Sequence, residues 1–297
     1  MSGEERMEDP RIITYLFLGG LGAGACQVLA VLSFLCPREM VSFYGLFRPR
    51  IEYRNLIGTG YAAASLALFF GIVCLAADLG RPDRILTVAF NLGASVVNVG
   101  AWCLAGLLVC ALLLCMAWML YPRVRTVFVM TVAGVSLVLG FAVMVYTALL
   151  LALFAGVPFW DNPLILVLFI LSSLSTGCGL IMATSHLCRS NETFSSAMRG
   201  LSIVDIAIVL VEAVALALLV AFSFLDDVTS SAAIALVSGE QSGAFWLGLV
   251  GCGLIVPLVV ELFALYVRRD DLGFVAGAFA LIGGYCLRVC IIGAGLA

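Results

Sequence analysis

"TVFVMTVAGVSLVLGFAVMVYTALLLALFA", residues 126–155, contains no charged side chain and no proline. The run is longer than the roughly 20 residues a helix needs to cross a bilayer. Its apolar residues do not alternate with polar ones, as those of a barrel strand would. Only helices and closed barrels satisfy every backbone group in lipid, so the run predicts a transmembrane helix.

The rest of the chain agrees. It has 297 residues, 64% hydrophobic and 11% charged, with a mean hydropathy of +1.19. A soluble domain carries about 25% charged residues, so this chain has too little polar surface to stay dissolved. Apolar runs between charged, proline or glycine punctuation lie near 12–35, 56–77, 95–120, 126–155, 163–187, 201–224, 243–267 and 272–295. They predict an all-α membrane protein of eight spans, a single integral membrane domain over 1–297. An even number of spans puts both termini on one side. The acidic start "MSGEERMEDPRIITYLFLGG" has no clear cleavage site and reads as a retained helix rather than a signal peptide.

Arginine sets the orientation, since the chain has no lysine. The loops after spans one, three, five and seven hold Arg38, Arg48, Arg50, Arg54, Arg123, Arg125, Arg189, Arg199, Arg268 and Arg269; the other side holds only Arg6, Arg11, Arg81 and Arg84. The positive-inside rule puts the arginine-rich face in the cytoplasm and both termini outside. The segment "DLGRPDRI", residues 78–85, then faces outward. Asp78 and Arg81 either pair locally or face a ligand.

Ionisable residues inside spans are costly and are functional candidates by default. Here they are Asp205, Glu212, Glu261 and Arg288. Asp205 and Glu212, seven apart, share a helix face. They read either as a proton path from the cytoplasm or as interhelical pairs. Tyr146, in span four, reads either as packed aromatic or as functional hydroxyl. Trp160 and Tyr15 fall near the outer interface. Gly19, Gly20, Gly22 and Gly24 allow close helix packing or room for a flat ligand.

Several chemistries are disfavoured. The single histidine, His186, makes a bis-histidine haem within one chain impossible. The eleven cysteines include no CxxC pair, so no iron–sulfur cluster and no metal site is expected. The small net charge of −3 does not suggest nucleic acid.

Taken in order, "YLFLGGLGAGA" at 15–25, "DLGRPDRI" at 78–85, "GAW" at 100–102 after Asn91 and Ser95, "FAGVPFWDNPL" at 154–164 and "GGYCLRVCIIGAG" at 283–295 resemble the NrfD/PsrC family. These are polysulfide-reductase-type membrane subunits, related to the DMSO reductase anchors. The resemblance implies two four-helix bundles without haem, in a bacterial cytoplasmic membrane. It implies a quinone (menaquinone or ubiquinone) bound near the outer face. It also implies a ferredoxin-type iron–sulfur partner and a molybdopterin catalytic subunit on the extracytoplasmic side, in anaerobic electron transport. By position it assigns Tyr146 and Asp78 the catalytic places, with Tyr15, Gly19, Arg81 and Trp160 completing a quinone site. Tyr15 stands where the family often has histidine. A tyrosine donates a hydrogen bond but is no base at neutral pH, which leaves Asp78 as the acid/base. Pro82, Asp83 and Arg84 would then form a docking edge for the partner. Two other classes remain: an ion-coupled secondary transporter built on the buried charges, and a tether without a quinone site.

Overall fold

The computed structural model describes residues 10–35, 42–43, 46–47, 51–78, 96–119, 124–153, 157–187, 195–267 and 272–296. The protein runs through α1 (Pro10–Leu35), a two-residue ladder β1 (Ser42–Phe43) and β2 (Leu46–Phe47), then α2 (Ile51–Asp78), α3 (Val96–Met119) and α4 (Thr126–Ala152). A 3₁₀ turn, Pro158–Asp161, leads into α5 (Pro163–Leu187) and α6 (Ser195–Leu225). The short α7 (Ser230–Val237) precedes α8 (Ala244–Val267) and α9 (Leu272–Gly295). All but α7 are long and apolar enough to cross a membrane, and the expected eight spans are present.

The packing follows from where the small residues lie. In the apolar stretch of α1, 72% of residues are buried, against 28% in α8. Helix α1 buries Gly19, Gly20, Gly22 and Gly24 in its middle and packs on α2, α4 and α5. At the α1–α5 crossing the backbones touch. A Cβ on Gly24 would fall on the Ser173 carbonyl, and one on Gly177 would fall on the Gly24–Ala25 peptide. Glycine at such points lets main chains approach without a hydrophobic driving force, which lipid does not supply. Gly179 meets Gly277 between α5 and α9, and Gly253 meets Gly283 between α8 and α9, in the same way. The outward faces of α2, α3, α4 and α6 expose Phe69, Phe70, Trp102, Val138 and Val214, as lipid-facing surfaces should.

Two details fix the ends. β1 and β2 pair antiparallel, Ser42 with Phe47 and Phe43 with Leu46. Phe47 donates its N–H to the Val124 carbonyl at 2.7 Å and sets its ring edge-on to Trp118 at 4.7 Å. The hairpin therefore closes the α3–α4 end of the bundle. In α8, residues Ala244–Ile255 are π-helical and Val256–Val267 α-helical. Pro257 sits at the change; it has no N–H to give to the ladder, so the hydrogen-bond register breaks there.

Candidate functional site

Tyr15 comes from the first turns of α1 and Tyr146 from the last turns of α4. The antiparallel packing of these helices brings both to one depth. Their exposures are only 3% and 5%. Their hydroxyls adjoin one another, yet neither makes a well-formed hydrogen bond among the described residues. The Tyr146 ring lies flat on α3, where a Cβ on Gly100 would collide with it. Gly19 borders the same place. A Cβ there would meet Leu104 at 3.8 Å, Thr147 at 3.9 Å and Tyr15 at 4.0 Å, all ordinary contacts. The result is an apolar site holding two buried hydroxyl groups without satisfied partners among the described residues. Such groups cost free energy unless something bonds them.

A second polar region lies on another face of α1, toward α5 and α9. Arg288 of α9 is fully buried. One guanidinium nitrogen donates to Ser172 Oγ at 2.9 Å and to the Gly284 carbonyl at 2.6 Å. The other donates to Ser173 Oγ at 3.0 Å. The group sits 5.6 Å from the Phe17 ring of α1 and 5.4 Å from the Phe169 ring of α5. Glu212 of α6 is buried within electrostatic reach of Arg288 and beside Ser172. Nearer the start of α6, Asp205 adjoins Glu261 of α8, with Ser175 beside Asp205. None of the four carboxyl oxygens of Asp205 and Glu261 has a well-formed hydrogen bond among the described residues. A small cavity lined by Ser185, Arg199, Ser202 and Met182 lies closer still to that end of α6.

Nearly the whole chain, residues 9–297, matches the family model described as "Polysulphide reductase, NrfD". The protein belongs to the NrfD family. Among similar members, the C subunit of the polysulfide reductase of Wolinella succinogenes is 26% identical over 304 residues, covering 96% of this protein and 92% of that one. Protein NrfD of Escherichia coli is 26% identical over 315 residues, covering 98% and 96%. The NrfD homolog of Haemophilus influenzae is 24% identical over 319 residues, covering 97% and 94%. This NrfD-family member is thus a multi-pass membrane protein whose family match runs through all eight spans.

The sites predicted from sequence divide into two. Tyr15, Gly19 and Tyr146 come together. Asp78 is the last residue of α2, while Arg81, Pro82, Asp83 and Arg84 lie outside the described residues, as do Asn91 and Ser95. Trp160 lies in the 3₁₀ turn, where its indole N–H donates to the Ile291 carbonyl at 3.0 Å and its ring lies against Gly295. It therefore pins the 3₁₀ turn to the end of α9. Trp160→Phe is expected to remove that bond at a cost of about 1–3 kcal/mol, read as a lower midpoint of thermal unfolding. Asp205, Glu212, Glu261 and Arg288 do gather, in two groups linked by α5. Sequence reasoning does not single out the linking hydroxyls, Ser172, Ser173 and Ser175. In "LSSLSTGCGL" they read as small residues inside an apolar run, and only their repeated occurrence on one helix hints at more.

Proposed function

We propose that the protein is the quinone-reactive membrane subunit of a multi-subunit respiratory oxidoreductase, in a bacterial cytoplasmic membrane. The observation that carries this reading is the buried Tyr15–Tyr146 pair, two adjoining hydroxyls with no well-formed hydrogen bond among the described residues, beside Gly19. A quinone is a flat apolar ring with two carbonyl acceptors, which suits two donors with glycine at their side. When bound, it supplies the two-electron, two-proton chemistry of its ring carbonyls.

The protein's own residues bind, orient and exchange protons. Tyr146, laid flat on Gly100, holds its hydroxyl in a fixed direction and donates to a ring oxygen. Fixed donors of this kind stabilise charge that develops on an oxygen without having to reorganise. Tyr15 supplies the second donor. Asp78, at the end of α2, is the acid/base that exchanges the proton with the outside. Electrons are exchanged between the quinone and a ferredoxin-type iron–sulfur partner, with a molybdopterin subunit beyond it, on the extracytoplasmic side. Arg81 orients the Asp78 carboxylate, and Pro82, Asp83 and Arg84 form the docking edge. The carboxyl groups Asp205, Glu261 and Glu212, joined by the α5 hydroxyls, form a proton path from the cytoplasm.

Tyr146→Phe tests the site. The hydroxyl's net hydrogen bond corresponds to roughly three- to tenfold in affinity. Quenching of a fluorescent quinol analogue by the purified protein is expected to weaken by that factor. An unchanged dissociation constant would overturn the assignment, and no quenching by the unaltered protein would favour a tether. Ion flux in proteoliposomes without a redox partner would favour the transporter instead.

A further inference from the structure

Helix α1 is a wall with different chemistry on two of its faces. Gly19 faces the tyrosine site: its nearest neighbours are Leu104, Thr147 and Tyr15. Gly20, the next residue, points about 100° further round the helix, toward α5 and α9. A Cβ there would lie 2.6 Å from Ser173 Oγ and 2.8 Å from a guanidinium nitrogen of Arg288. Phe17, on the same helix, packs under the guanidinium at 5.6 Å. The absence of a side chain at both glycines brings Arg288 and the tyrosine pair to within about one helix diameter, roughly 10 Å.

A charge at that separation is not screened as it would be in water. At an effective dielectric near 20, a unit charge about 10 Å away changes the affinity of a singly charged ligand on the order of tenfold. The charged groups around Arg288 are few. Glu212 on α6 opposes it, and its contacts from α5 and α1 are the hydroxyls of Ser172 and Ser173 and the rings of Phe169 and Phe17, all neutral. Arg288 reaches α1 itself, at Gly20 and Phe17, whereas Glu212 lies beside Ser172 of α5. The field of Arg288 at the tyrosine site is therefore only partly cancelled.

We propose that Arg288 acts through α1 as an electrostatic positioning residue for the tyrosine site, making it favour a ring ligand with an anionic oxygen over a neutral one. The proposal rests on the quinone-site reading, and it adds a residue from the other half of the molecule that never touches the ligand. It also gives the glycine pair a purpose beyond packing: the two positions keep the wall thin.

The test compares two probes on the full-length protein in lipid nanodiscs. One is a neutral fluorescent quinol analogue. The other is 2,4-dinitrophenol, which is a phenolate at neutral pH. Arg288→Gln is expected to weaken dinitrophenolate about tenfold and the neutral analogue less than threefold, while Arg288→Lys restores the phenolate affinity. Glu212→Gln, which removes the opposing charge, is expected to tighten the phenolate and leave the neutral probe unchanged. A merely structural role for Arg288 would shift both probes alike, and that result overturns the proposal. So does a Glu212→Gln protein that binds phenolate no better, and this arm stands even if Arg288→Gln yields no folded protein. If neither probe binds the unaltered protein, the quinone-site reading itself fails, and this proposal fails with it.

Discussion

Gly24→Ala is expected to leave little or no folded protein in a detergent extract. The added Cβ would coincide with the Ser173 carbonyl, a main-chain atom in the middle of α5. A flexible side group rotates away from such a collision, but a helix backbone has to move as a whole. Overpacking in a close-packed interior costs about 1–3 kcal/mol when side chains yield, and more when they do not. Moving α5 also disturbs the serine contacts of Arg288, and it parts Gly177 from the Gly24–Ala25 peptide. Gly19→Ala is the control. Its neighbours lie at 3.8 Å or beyond, so the variant is expected to elute as a single folded species by size exclusion. It should bind the quinol analogue more weakly, because the new methyl enters the space beside the tyrosines. Equal yields of the two variants would contradict the crossing.

The second large effect belongs to Arg288→Met. Removing the guanidinium strands the hydroxyls of Ser172 and Ser173 and leaves Glu212 without an opposing charge inside the membrane. Leaving a buried polar group without its partner costs about 1–3 kcal/mol, and more for a charged one. The unfolding midpoint of the purified protein is expected to fall accordingly. The pair Arg288→Met with Glu212→Leu should recover a large part of the loss, because it leaves no uncompensated charge. If the double variant is no more stable than the single one, Glu212 and Arg288 are not energetically coupled and the second polar region is two separate features.

Much of the architecture is legible in the sequence because lipid imposes one strong rule. A stretch such as 126–155 without a charge has few options but to cross the bilayer, and it does so as α4. The start of α2 is less visible. "IEYRN" at 51–55 carries charge and falls outside the apolar run, yet it belongs to the helix, because a helix continues past the hydrocarbon region into water. The short α7 and the π-helical half of α8 have no readable signal; the second depends on where Pro257 falls within the three-dimensional ladder.

The site is legible in its parts but not in its grouping. Tyr146 and Arg288 stand out as a polar hydroxyl and a charge inside apolar spans. No spacing rule relates Tyr15 to Tyr146, which are far apart in sequence and meet only because α1 packs on α4. The same holds for Asp205 and Glu261. In sequence the glycine pair suits packing and a ligand equally, and in the fold Gly19 and Gly20 face different neighbours. Consecutive helical residues point about 100° apart, but which side each faces depends on neighbours that only the folded protein supplies.

The crossing of α1 with α5 also bears on how the protein is made. Helix α1 leaves the ribosome long before residues 163–187 are translated. Its glycine face therefore waits in the bilayer for a partner still being synthesised. A nascent polypeptide stopped after α4 would leave that glycine face to lipid. Docking of α5 is therefore the step that covers the glycine face of α1.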